Sequence, residues 1–278
     1  MKAKGGVITF LVVLSVLLAR SGGSPAPGER QWSSGTAYTL PEGRLEMGLF
    51  QPLRKGQSDN VEWSTHPVLF LQIPNVVVKI SHRPIHGWGT ATRHSLVYPT
   101  PLLRRLRIKG FGIQALSDMD VGGIITSDPD VPQIPHMISS RNEIILSRNF
   151  GPSILISGKA GIALAIRGGE LDDRTTIDLP VVFPRLGVFY NGYGLNFGLD
   201  ILRRITKRLN YLVNGDILLL PGSDENFAFE HKGLFIWTKS ERFRMVIGYK
   251  LVFGEYPFGT QWHLLPLFDL QWGWEGNR

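Results

Sequence analysis

The chain has 278 residues, a formal charge of +7, 19% charged residues, 32 glycines and no cysteine. The absence of cysteine excludes disulfides, thiol chemistry, a lipidated cleavage site and any cysteine-based metal centre. Three of the positive charges (Lys2, Lys4 and Arg20) precede residue 22, so the remainder carries about +4, too little to argue for nucleic acid.

The first 21 residues pair two lysines with an apolar run from Val7 to Ala19 and a small-residue stretch, the layout of a secretory signal peptide. The run is too short for a membrane-spanning helix, which needs about 20 apolar residues. Residues 22–42, rich in Gly, Ser and Pro, are expected as an N-terminal periplasmic segment.

From residue 43 onward the governing pattern is alternation, with no helical period, heptad or solenoid repeat. In "RLEMGLF", Leu45, Met47 and Leu49 oppose Arg44, Glu46 and Gly48; in "NVEWST", Val61, Trp63 and Thr65 oppose Asn60, Glu62 and Ser64. Weaker alternation continues through 75–83 and 88–98. Residues 100–140 break the pattern with prolines, a basic "LLRRLRIKG" and an acidic, turn-rich stretch, a long irregular insertion in which Pro101 opens one short helix to Arg107.

Alternation resumes beyond it. "SILISGKAGIALAIR" sets Ile154, Ile156 and Ile162 against Ser157 and Lys159; "GYGLNFGLDI" sets Tyr193, Phe197 and Ile201 against Asn196 and Asp200. "YLVNGDIL" sets Tyr211, Val213 and Ile217 against Asn214 and Asp216, and "RFRMVIGYKLVF" sets Met245, Ile247 and Tyr249 against Arg242, Arg244 and Lys250. The closing "WHLLPLFDLQWGW" sets Trp262, Trp272 and Trp274 against His263, Asp269 and Gln271. Turn-rich breaks such as "RKGQSDN", "YNGYG" and "LPGSDEN" separate the segments. Twelve strands are predicted, at 43–54, 59–73, 75–83, 88–98, 140–149, 152–167, 177–189, 191–203, 207–220, 226–238, 241–254 and 261–274.

The fold class predicted is therefore all-β, a closed antiparallel transmembrane β-barrel over 43–274 preceded by a cleavable signal peptide. The polar faces carry glycine, amide and single charges, not the dense charge of a water-facing sheet, and aromatics end the apolar faces. Trp262 and Trp272 are separated along a tilted strand by about 25 Å of membrane normal, the height of a barrel's apolar band. Lipid is expected on the apolar side, with Trp262, Trp272 and Trp274 at the membrane interface.

Arg44, Glu46, Glu62, Lys159, Asp200 and Asp216 are expected to line the lumen, together with Arg242, Arg244, Lys250, His263 and Asp269. Such charges either fill a barrel as a network or, where Arg242, Arg244 and Lys250 share a wall, favour anions.

The last strand resembles the C-terminal strand by which outer-membrane proteins are recognised, which implies the barrel-assembly machinery as a partner beside the lipid bilayer; Trp274 is not terminal here. "YTLPEGRLEMGLFQPLRKGQSDNVEWSTHPVLF", "RHSLVYPTPLL", "ENFAFEHKGL" and the closing segment together resemble uncharacterised bacterial outer-membrane β-barrel proteins. That resemblance implies a fold and a location in the bacterial outer membrane, with no activity to carry over.

For chemistry, Glu62, Ser64 and His66 share one strand face and supply acceptor, nucleophile and base types. Outer-membrane phospholipases and lipid A deacylases are similar in using a His-x-Ser pair, with the order reversed here. His94 and Ser95 are consecutive and point apart. His82 and His86 lack a third ligand at metal spacing, "GWG" and "GYG" match no phosphate loop, and neither metal nor cofactor is expected. The expected function is a narrow channel or binding barrel for small polar solutes. The alternatives are a lipid hydrolase at Ser64/His66 and a structural barrel that anchors a partner through 100–140.

Overall fold

The computed structural model describes residues 30–106, 132–172, 181–222, 226–256 and 259–276. The signal segment, the first part of the 22–42 segment and much of the 100–140 insertion lie outside these residues. The described residues form twelve strands: β1 Arg44–Gly48, β2 Leu53–Ser58, β3 Val61–Thr65, β4 Asn75–Ile85, β5 Trp88–Val97, β6 Met137–Phe150, β7 Ile154–Arg167, β8 Tyr193–Arg204, β9 Leu209–Leu219, β10 Phe227–Ser240, β11 Phe243–Tyr256 and β12 Gly259–Glu275. Four short helices interrupt them: α1 Pro67–Phe70, α2 Thr100–Leu106, α3 Phe183–Leu186 and α4 Val188–Asn191.

Each strand pairs antiparallel with its neighbours in sequence, and β12 returns to β1, closing the barrel with Leu45 opposite Trp274 and Met47 opposite Trp272. Closure leaves no free sheet end, as lipid requires. The connections at the end carrying both β1's start and β12's finish are short, at 59–60, 86–87, 151–153, 205–208 and 241–242. Those at the other end include 66–74, 98–136 and 168–192. Short turns on one side and long loops on the other match periplasmic and extracellular ends.

The outer surface is apolar. Ile247 is 57% exposed, Phe268 58% and Trp262 62%, while Arg244, Val246 and Asp269, alternating with them, are buried inside. A water-soluble protein does not expose a continuous belt of this kind.

Three expected strands are corrected. The 43–54 segment is two strands, because Asp269 stops β1: its carboxylate accepts the N–H groups of Phe50 (3.1 Å) and Gln51 (3.2 Å) and turns the chain back. Gly48 allows this approach, since a Cβ there would lie 2.4 Å from Asp269 Oδ2. The 59–73 strand ends at Thr65, where His66 caps α1 and Pro67 occupies its first turn. The segment at 177–189 is not a strand over its described part: around Pro184 the chain forms α3 and α4 inside the extracellular end. One added strand and one lost strand leave the total at twelve. The insertion is also shorter than 100–140, because β6 begins at Met137.

Replacing Ile247 with arginine is expected to destabilise the barrel by about 2–4 kcal/mol in urea titrations in lipid vesicles, because the side chain sits within the apolar band. A change within about 0.5 kcal/mol, normal for an exposed residue of a soluble protein, contradicts a lipid-facing surface.

Candidate functional site

The lumen is partly filled by the chain itself. Residues 30–42, part of the 22–42 stretch expected as a periplasmic segment, lie inside the barrel against its inner wall. Ala37 N–H donates to Ser147 Oγ (2.8 Å), and Ser81 Oγ donates to the Ala37 carbonyl (2.6 Å). Ala37 packs on Ala91 and Ile145. Gly56 faces inward where Pro41 crosses it: a Cβ there would be 1.9 Å from the Pro41 carbonyl oxygen.

Carboxylates on the wall hold this segment. Glu46, fully buried, accepts from Arg44 Nε (2.9 Å), Arg54 (2.8 Å) and the Trp32 backbone N–H (2.8 Å). Glu62 accepts from Arg54 (2.8 and 2.9 Å) and the Leu40 N–H (3.0 Å), with Lys79 Nζ at 3.5 Å. Lys79 Nζ also donates to the Ser33 carbonyl (3.0 Å). The Trp32 ring lies against two guanidiniums, Arg244 at 4.5 Å and Arg44 at 5.4 Å from its centroid. Buried charge is tolerated here because each carboxylate meets several donors.

The extracellular half is narrowed by the β7–β8 connection. Phe183 packs on Val252 and Tyr256, while Val188 and Phe189 pack with Leu103, Ile134, Met137 and Leu220. Arg185 on α3 grips Glu230 with both terminal nitrogens (2.5 and 2.8 Å), and Lys250 reaches the same carboxylate (2.6 Å). Between the two fillings, Arg93 pairs with Glu143 (2.5 Å) and Lys159 with Asp200 (2.5 Å). They border a cavity of about 500 Å³. A second cavity of about 660 Å³ lies toward the short turns, bordered by Gly151, Pro152 and Lys207. Trp32, Thr36, Leu155, Leu202, Ile236 and Arg244 line both, so the two adjoin beside the inserted segment.

The structure places Arg44, Glu46, Glu62, Lys159, Asp200, Arg244 and Asp269 in the interior, with Asp216 on the cavity wall and Lys250 on Glu230. His263 faces inward, hydrogen-bonded to Gln261 (2.8 Å) and ring-packed on Tyr256. Arg242 is a correction: β10 runs to Ser240 and β11 begins at Phe243, so Arg242 is exposed in the intervening turn. Trp262, Trp272 and Trp274 are exposed on the outer face.

Glu62, Ser64 and His66 do not assemble. Glu62 is committed to Arg54 and Leu40. Ser64 lines the cavity, and the strand ends before His66, whose Nδ1 accepts from the Leu69 N–H (3.4 Å). Among the described residues no hydrogen bond joins Ser64 to His66, and no three His, Asp or Glu side chains are arranged to hold a metal. His82 bonds Thr92 Oγ1 (2.9 Å), and His86 sits in the 86–87 turn with φ of 49°.

Arg54, Lys79, Arg93, Arg141, Glu143, Arg185, Glu230 and Lys232 were not singled out from the sequence. The alternation in "FEHKGL" carries the signal for Glu230 and Lys232. Arg185 carries none, since its position depends on how the β7–β8 connection folds inward.

Several solved outer-membrane proteins are similar to this chain. Outer-membrane expressed OmpT of Vibrio cholerae matches with 7% identity over 94% of this chain and 73% of that one, at a TM-score of 0.42. The outer membrane channel DcaP of Acinetobacter baumannii matches with 8% identity, 80% and 61% coverage, and a TM-score of 0.36. The KdgM porin in complex with disordered oligogalacturonate matches with 10% identity, 83% and 94% coverage, and a TM-score of 0.32. No protein-family model and no curated protein matches the chain.

Glu46→Ala leaves the buried guanidiniums of Arg44 and Arg54 short of a carboxylate and is expected to cost about 3–5 kcal/mol of stability to urea. Asp59, largely exposed at its pair with Arg30, is the control: Asp59→Ala changes stability by less than about 1 kcal/mol. Equal effects contradict a charge network that holds the inserted segment.

Proposed function

We propose that the chain is a bacterial outer-membrane barrel, exported by its 1–21 segment and seated through β12 by the barrel-assembly machinery, whose lumen passes or binds small polar solutes. Trp262 and Trp272, on one outward face, act as anchors at the two membrane interfaces. The observation that carries the solute reading is the pair of lumen cavities that share a wall of side chains at Trp32 and Arg244. A purely structural barrel has no need of two adjoining vestibules; a passage does.

The lipid-hydrolase reading at Ser64 and His66 loses its support, since His66 caps α1 and forms no hydrogen bond with Ser64 among the described residues. The anchoring reading keeps only the contact of α2 with the extracellular end, through Leu103.

The refolded chain in planar bilayers is expected to give small, discrete conductance steps. Trp32→Ala, which removes the largest of the side chains lining both cavities, is expected to raise the step size. Absence of current from correctly folded barrels, or a step unchanged by Trp32→Ala, contradicts passage at this place.

A further inference from the structure

The inner wall carries one apolar stripe that the charge networks do not use. Leu155, Leu202, Leu212 and Leu234 are direct partners across β7, β8, β9 and β10, a row of four on neighbouring strands. They alternate with the exposed Ile201 and Phe235, so they face the lumen. All four are half-buried, and Ile236 adjoins them. Leu155, Leu202 and Ile236 border both cavities, and Leu212 borders the one nearer the centre. Apolar surface left open to lumen water costs about 25 cal/mol per Å². A path for purely polar solutes gains nothing from it.

The next inward row toward the extracellular end is Ser157, Asp200, Asn214 and Lys232. Asp200 is taken by Lys159 and by Asn214 Nδ2 (2.5 Å). Lys232 forms neither a hydrogen bond nor an ion pair among the described residues, and it lies one inward step, about 7 Å, from Leu234. Arg141, farther along the same cavity, is in the same condition; it shares a small cleft with Arg185, whose guanidinium is committed to Glu230. Eight basic side chains and four acidic ones line the cavity among the described residues, an excess of positive charge that Glu46 and Glu230, paired with Arg54 and Arg185 from behind, offset in part.

We propose that this cavity binds an organic anion with an apolar body, its carboxylate, sulfonate or phosphate held by Lys232 and Arg141 and its body laid along the Leu155–Leu202–Leu212 row. The proposal rests on the lumen being the solute site and names the class of solute. The charged head is drawn by the cavity's positive excess, and the leucines select the body by burying it beside the inserted segment.

The test is calorimetric titration of the full chain, folded in lipid nanodiscs, with butanoate, hexanoate, hexanol and inorganic phosphate; empty nanodiscs correct for partition into lipid. Hexanoate is expected to bind about 15-fold more tightly than butanoate, since each buried methylene contributes about 0.8 kcal/mol. Hexanol and phosphate are expected to bind at least tenfold more weakly than hexanoate. Lys232→Gln and Arg141→Gln, checked for folding by unboiled gel mobility, are expected to weaken hexanoate about tenfold, and Leu202→Asn to remove the chain-length preference while butanoate still binds. Equal binding of the two acids, hexanol or phosphate binding as well as hexanoate, or indifference to Lys232→Gln and Arg141→Gln overturns the proposal. Binding is read without conduction: hexanoate bound by a barrel that passes no current would defeat passage but keep this site, and current with no preference for hexanoate would do the reverse.

Discussion

Backbone hydrogen bonding in lipid is the constraint on which the rest of this structure depends. A sheet in hydrocarbon has no water to satisfy a free strand end, so the first and last strands must meet. Here they meet over five residues, from Arg44 opposite Glu275 to Gly48 opposite Gln271. The closing contact is a short one between strands of very different length, and its end is set by a side chain. Leu49 still donates its N–H to the Leu270 carbonyl (3.1 Å), after which Asp269 accepts the N–H groups of Phe50 and Gln51 and also accepts from Gln271 Nε2 (2.7 Å). Closure then forces the alternation: apolar side chains outward to lipid, and everything else into a confined interior.

Confinement explains the interior chemistry. Charges brought inside need partners, and the wall alone does not supply enough of them at the periplasmic end. Residues 30–42 provide backbone N–H groups to Glu46 and Glu62 and carbonyl oxygens to Lys79. Arg30 likewise donates to the Thr39 and Leu40 carbonyls, tying the start of the segment to its end. The segment and the wall networks are thus one construction. At the extracellular end the β7–β8 connection plays the matching part through Arg185 and Glu230, and the space between the two fillings is what remains for a solute.

Long strands were legible because lipid on one side and lumen on the other impose a period of two over ten or more residues, as in β7, β8 and β11. Alternation failed where tertiary contacts set the backbone. Nothing local in "RLEMGLFQPLRKG" announces that Asp269, more than two hundred residues away, ends β1 at Gly48. His66 continues the strand pattern in sequence, but Pro67 begins a helix that recruits it as a cap. The inward leucines were hidden by their own hydrophobicity: Leu155 lies between Ile154 and Ile156, and Leu202 follows Ile201, so parity with Ser157 and Asp200 was the only guide to their side. The inserted segment had no signal, because its anchors are tertiary contacts with the barrel wall; one of them, Ser147, lies 110 residues from Ala37.

The barrel is closed, and residues 30–42 of the same chain occupy its lumen. Ala37 and Ala91 touch inside the barrel, and the chain has no native cysteine. Ala37→Cys combined with Ala91→Cys, oxidised in intact outer membranes and examined on unboiled gels, tests this occupancy most directly. A reductant-sensitive crosslink formed in high yield, with heat-modifiable mobility retained, is the result this account predicts. A segment cysteine that stays free and reacts readily with a bulky maleimide in folded barrels would contradict it.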